Sequence, residues 1–171
     1  MCFMASAVLY EQGDYHRALF YLDKSMTIAL QNGLLTDTNE FGIRYAMIFQ
    51  NIGQWGDAVN SLEAIRRRTN RKSEREYNFL TTVLLFDVSK GLNLRNTPEL
   101  ASRLSSMVSR VRARYRIGLY YHVLGDYFKS TDRSEDAIDA LGKARNLYRS
   151  IGYEDDFARV DLIEAEIHVE N

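Results

Sequence analysis

The sequence predicts an all-α protein built of stacked helical hairpins, and three observations carry that expectation. Proline occurs once and glycine ten times in 171 residues, too little punctuation for the many turns a sheet protein of this size needs. The stretches "QGDYHRALFYLDKS" at 12–25 and "IGQWGDAVNSLEAI" at 52–65 overlay as glycine, polar, aromatic, two residues, alanine, three residues, leucine, which is the mark of an internal repeat. Around each such turn apolar residues recur every three to four positions, the period of two amphipathic helices joined by a short loop.

Taken in order, the pattern places helices at about 2–12, 15–32, 38–52, 55–69, 74–92, 98–110, 112–130, 134–150 and 154–168, with ends uncertain by about 2–4 residues. Turns fall at Gly13, Gly53, Asn96 and Asp132, with Ala18, Ala58, Ala101 and Ala137 at the small site that follows. In the third copy Thr97 takes the capping place and Pro98 the first helical position, where its missing N–H costs nothing. Asp37 with Glu40, and Ser73 with Glu76, have capping-box spacing and mark helix starts. Gly33 and Gly152 stand where helices end in the left-handed conformation. The whole chain reads as one domain, with pairs at about 1–33, 37–69, 73–111 and 112–150 and a last helix at 154–168. In that helix Phe157, Val160, Ile163 and Ile167 make one apolar stripe, while Asp155, Asp156, Arg159, Glu164 and Glu166 face elsewhere as a solvating cap.

Tyr121, Leu124, Gly125, Phe128, Ala137, Leu141 and Ala144 resemble, in order and spacing, the tetratricopeptide repeat pattern of aromatic, Leu-Gly, aromatic, Ala, large, Ala. The first copy keeps Tyr15, Ala18 and Leu22 with Ser6 and Ser25 at two small sites; the second keeps Trp55, Ala58 and Leu62 with Ala46. The third departs most, with Ser89, Ala101, Ser105 and Val108. The resemblance implies a right-handed α-solenoid of about four hairpins plus a C-terminal capping helix, working as a protein-binding scaffold. Repeats near 40 residues resemble those of peptide-sensing regulators and some adaptor scaffolds. Fold alone does not fix the activity.

Carried over from the family, the groove-facing positions are Phe3, Ala7, Tyr10 and Glu11, then Glu40, Ile43, Met47, Gln50 and Asn51. Val83, Phe86, Lys90 and Asn93 follow, and then Leu119, His122, Asp126 and Lys129. Such a largely apolar wall suits a helix or an extended segment of a peptide or protein partner. Ala7 and Phe3 stand where family members that clamp a terminal carboxylate have Asn and Lys, so that activity is not expected.

Net charge is −1, but residues 1–60 carry 3 Lys/Arg against 6 Asp/Glu, 61–120 carry 13 against 5, and 121–171 carry 6 against 12. The basic middle contains Arg66, Arg67, Arg68, Arg71, Lys72 and Arg75, then Arg110, Arg112, Arg114 and Arg116, predicted to form a basic rim. No nucleic-acid fold motif accompanies them, so nucleic acid is not the expected partner. His122 and Asp126 lie one helical turn apart without an accompanying nucleophile, which reads as a surface pair rather than a proton relay. One cysteine and three scattered histidines match no metal motif, and no enzyme activity or cofactor is expected. The single Cys2 excludes an intrachain disulfide and fits a reducing cytoplasm. No apolar run approaches the roughly 18 residues of a membrane span. The apolar opening "MCFMASAVLYEQG" has no polar capping segment; either it begins inside a longer array, as in a ligand-sensing fragment of a larger regulator, or another chain covers it, as in a self-associating scaffold.

Overall fold

In the computed structural model, which describes residues 2–69 and 74–170, every regular element but a single 3₁₀ residue at Glu74 is α-helical. The helices are α1 (Cys2–Glu11), α2 (Tyr15–Gln31), α3 (Leu35–Asn51), α4 (Trp55–Arg68), α5 (Arg75–Gly91), α6 (Thr97–Val108), α7 (Arg114–Lys129), α8 (Ser134–Ile151) and α9 (Glu154–Glu170). No strand occurs among the described residues. Arg71, Lys72 and Ser73 lie outside the described residues, as do the side chains of Asp37 and Asp155.

Six described connections share one backbone design, at Gly13, Gly33, Gly53, Asn93, Asp132 and Gly152, and four of them follow the first helix of a pair. Gly13, Gly53, Asn93 and Asp132 all have positive φ, at spacings of 40, 40 and 39 residues. In each, the amide of the following residue donates back across five positions: Asp14 to Leu9, Gln54 to Phe49, Leu94 to Ser89 and Arg133 to Phe128, at 2.8–3.0 Å. The amide of the turn residue itself reaches the carbonyl three positions back, on Tyr10, Gln50, Lys90 and Lys129. This is a Schellman closure, which occupies helix-end carbonyls that would otherwise lack donors. Glycine enters the left-handed region at no steric cost, and Asn and Asp are the next most tolerant residues.

This corrects the predicted turn at Asn96. Asn93 turns the chain, and α6 begins two residues later after its turn than α2, α4 and α8 do after theirs. The register of the third repeat moves with it: Leu104 is fully buried, as Leu22, Leu62 and Leu141 are, and Leu100 rather than Ala101 takes the place of Ala18, Ala58 and Ala137. Thr97 does not cap either, since its hydroxyl donates to the Leu94 carbonyl at 2.7 Å. The predicted helix start at Asp37 is also displaced. Helix α3 starts at Leu35 with Leu34 as its cap, two residues after the positive-φ Gly33, so Asp37 is already helical; Glu40 accepts from the Tyr77 hydroxyl at 3.2 Å.

The chain divides into two compact units, Met1–Val88 and Ser89–Asn171, the division falling within α5. In the first, α1 packs on α2, α2 on α3 and α3 on α4. Ala18, Leu22, Ala29, Phe41 and Ile48 form a buried cluster there. In the second, α7 packs on α8 and α8 on α9 around Ala137, Leu141, Ala144, Tyr148, Val160 and Ile167. Small residues let paired helices approach. A Cβ on Gly125 would stand 2.6 Å from Leu141 Cγ and 3.2 Å from the Ala137 carbonyl oxygen, and one on Gly118 would stand 2.9 Å from the Tyr148 ring. Ser6, at the Gly125 register of the first hairpin, is buried and donates to the Ala18 carbonyl at 2.9 Å.

The stripe expected on the last helix is present, with Val160 and Ile167 buried and Phe157 and Ile163 packed beside them. Glu164 departs from expectation. It is buried and paired with Arg145, which also binds Asp161 at 2.7 Å; an arginine reaching from α8 gives that carboxylate a partner away from water.

Candidate functional site

The helices that begin each hairpin carry most of the predicted groove residues, and a repeated polar contact organises them. Three residues before each turn stand Tyr10, Gln50, Lys90 and Lys129; six before stand Ala7, Met47, Asp87 and Asp126. In the first unit the Gln50 amide donates to Asp87 Oδ2 at 2.8 Å. In the second, Lys90 pairs with Asp126, and Lys129 Nζ lies 2.6 Å from Glu166 Oε2. Glu166 follows Asp126 by 40 residues, so α9 occupies the register of another such helix. Met47 has no hydrogen-bonding side chain in the equivalent place, and Tyr10 instead accepts from Asn51 Nδ2, one helical turn further on, at 3.0 Å. The Tyr15 hydroxyl donates to Asn51 Oδ1 at 3.3 Å, closing a small network.

Exposed and half-buried ion pairs of this kind contribute only about 0.2–1 kcal/mol each. Their effect is to fix the register of successive helices, and to leave fewer unsatisfied charges for a ligand. Asp126, predicted beside His122, is engaged with Lys90. The His122 ring lies edge-on to Tyr148, with centroids 6.3 Å apart.

Three predicted groove residues are removed by burial. Phe86 and Ile43 are core residues, as is Val83, because the same helical face that borders a groove turns inward at these positions. Phe3 packs edge-on to Phe41 at 5.0 Å between centroids, under the Arg44 guanidinium, and stays half-buried. Glu40, Asn51 and Asn93 are exposed; Tyr10, Met47, Gln50, Lys90, Leu119, His122, Asp126 and Lys129 are half-buried. The basic segments fall one in each unit. Arg66 makes a two-pronged contact with Glu63 at 2.8 and 3.1 Å, and Arg68 donates to the Ala64 carbonyl. Arg67, Arg110, Arg112 and Arg114 are exposed, and Arg75 and Arg116 are half-buried.

Two cavities were not foreseen. In the second unit, Lys90 and Asn93 border one of about 600 Å³ together with Arg95, Tyr127, Ser130 and Thr131; the misplaced turn hid it, since Asn93 and not Asn96 brings these residues together. On the first hairpin, Met4, Val8, Leu9, Arg17, Phe20 and Tyr21 line an open apolar groove of about 700 Å³. The apolar, unpunctuated opening was its only sequence signal.

Burial lifts the titration of Tyr45 and Tyr148 well above the usual tyrosine range, helped by Asp23 beside Tyr45 and Asp156 near Tyr148. Tyr120 is raised by burial and by Tyr121, and exposed Lys143 by its bond to Asp139. All four shifts lead away from neutral pH, whereas a general acid or base is tuned toward it. No cluster of three or more metal-ligating side chains occurs among the described residues, and no helix among them is long and apolar enough to cross a membrane. Set against known proteins, the chain matches no family model, no curated protein and no solved structure.

Proposed function

We propose that the protein is a tetratricopeptide-like interaction scaffold, a right-handed solenoid whose hairpin-opening helices hold a peptide or protein segment. The observation that supports this reading is the Schellman turn that recurs at Gly13, Gly53, Asn93 and Asp132, at spacings of 40, 40 and 39 residues, and again between them at Gly33 and beyond them at Gly152. Identical backbone closures at a fixed period are what a stack of like hairpins requires. The Gly125 approach to Leu141 and the serine and alanine at its register in the first two hairpins support it further. Within each unit polar contacts join these helices, Gln50 to Asp87 in the first and Lys90 to Asp126 and Lys129 to Glu166 in the second, with Tyr10 and Met47 in the first and Leu119 in the second as the apolar anchors of this reading. Such a surface reads a partner through apolar side chains set between polar points.

The test uses two half-buried positions, because Phe86→Glu would place a charge in the core and unfold the chain. Met47→Glu combined with Leu119→Glu is expected to abolish capture of the wild-type partner set in affinity purification with mass spectrometry, while helical circular dichroism and the melting temperature stay near wild type. An unchanged partner set in the folded double variant rules out these helices as the binding surface.

A further inference from the structure

We infer that the protein associates head to tail, the last helix of one copy seated in the groove on the first hairpin of the next. The inference starts from the outer face of α9. Ala158, Leu162, Ala165 and Val169 lie at helical spacing along it and are all exposed, Leu162 to 62% and Val169 to 86%. Because Glu166 repeats the place of Asp126 40 residues on, this line corresponds in register to Gly118, His122, Gly125 and Lys129 of α7. On α7 that face is covered: Gly118 and Gly125 lie against Tyr148, Leu141 and Ala137 of α8, and the His122 ring meets Tyr148. Helix α9 therefore presents, uncovered, the small-residue face by which its counterpart takes a helical partner. Small residues on such a face admit close helix approach.

The complementary shape is on the first hairpin. Helix α1 is apolar on all sides, a pattern that belongs to a covered helix. Only Ser6 of it is buried, while Met4 is 68%, Val8 55% and Phe20 of α2 53% exposed. These three residues with Leu9 and Tyr21 form the groove of about 700 Å³, open and apolar, with Arg17 at its rim. An exposed helix face of small and apolar residues and an open apolar trough, both uncovered among the described residues of one copy, suit a second copy of the same chain.

The area sets the strength. A 17-residue helix such as α9 is about 25 Å long, and laying one face in a groove removes on the order of 500 Å² from each partner, about 1,000 Å² in all. That is the lower end of a specific contact, so the association is expected to be weak and to depend on concentration. A heterologous contact does not close on itself unless the rotation happens to complete a ring, so the copies add in series.

This inference rests on the register of α9 and on the first hairpin, and is independent of the proposed peptide groove. Sedimentation equilibrium over a wide concentration range tests it with wild type and two surface variants, Val8→Glu and Leu162→Glu. Wild type is expected to increase in average mass beyond a dimer. Each single variant should weaken association by about tenfold or more, since a glutamate at either position would be buried without a partner. An equimolar mixture of the two should form a one-to-one dimer and nothing larger, because each variant retains one intact surface. A wild type that stays monomeric throughout, a mixture that stays monomeric, or a dimer that survives Leu162→Glu and stops at two copies would each overturn the inference. The last of these outcomes would mean that first helices pair with each other.

Discussion

At the scale of single residues, the sharpest constraints are steric. Gly125→Ala gains about 1 kcal/mol of helix propensity, yet its Cβ would meet Leu141 Cγ at 2.6 Å with the Ala137 backbone close behind. Overpacking of this kind costs about 1–3 kcal/mol, so the variant should be destabilised, by an amount read from its urea midpoint. Gly142, also helical, has nothing within 4 Å of an added Cβ, and Gly142→Ala should stabilise by about 0.5–1 kcal/mol in the same assay. Tyr148 is fully buried with its hydroxyl unbonded. Tyr148→Phe removes an unsatisfied polar atom and should raise stability by about 1 kcal/mol. Its pH behaviour has a definite sign. Burial holds the folded phenol neutral above the unfolded value of 10.0, so above about pH 10 the unfolded chain loses a proton that the folded chain keeps, and stability falls as pH rises. Tyr148→Phe should flatten that alkaline decline in a pH series of melting curves; an unchanged slope would assign the decline to other groups such as Tyr45.

At the scale of helices, what the sequence announces and what packing adds can be separated. All nine predicted helices exist among the described residues, within a few residues of their expected ends, because hydrophobic period and left-handed glycines are local signals. The third repeat was misaligned because local signals there compete: Asn96, Thr97 and Pro98 look like a turn and cap, while Asn93 makes the turn three residues earlier. Leu100 and Phe86 stand where other repeats have small residues. The sequence pattern of α9 predicts a solvating cap, but its Glu164 is buried with Arg145 and its outer side shows Leu162 and Val169. Arg145→Met should cost about 3 kcal/mol, because it strands the Glu164 carboxylate away from water. Hydrogen exchange should show the loss concentrated in α9 and the facing turns of α8, and uniform loss across the chain would contradict that placement.

At the scale of the whole molecule, two compact units imply that damage stays local. Leu62, fully buried in the first unit, should cost about 2–5 kcal/mol when cut to alanine. Peptide-level hydrogen exchange should then show protection lost within residues 2–69 well before α7 and α8 respond. Simultaneous loss in both would show one cooperative structure instead. The candidate site was legible only in part. Its positions on the hairpin-opening helices followed from the resemblance, but nothing local to Gln50, Lys90 or Lys129 tells that each bonds a residue 36 or 37 places on. Nor does the period of α5 tell that Phe86 turns fully inward. The sequence by itself determined the helical class, the 40-residue rhythm of the first two repeats and the small residues at crossings, since these depend on backbone sterics and on which side of a helix is apolar. Only the tertiary structure decided which polar groups neutralise one another, which apolar faces are covered and which stay open, because those outcomes depend on contacts between helices a full repeat apart.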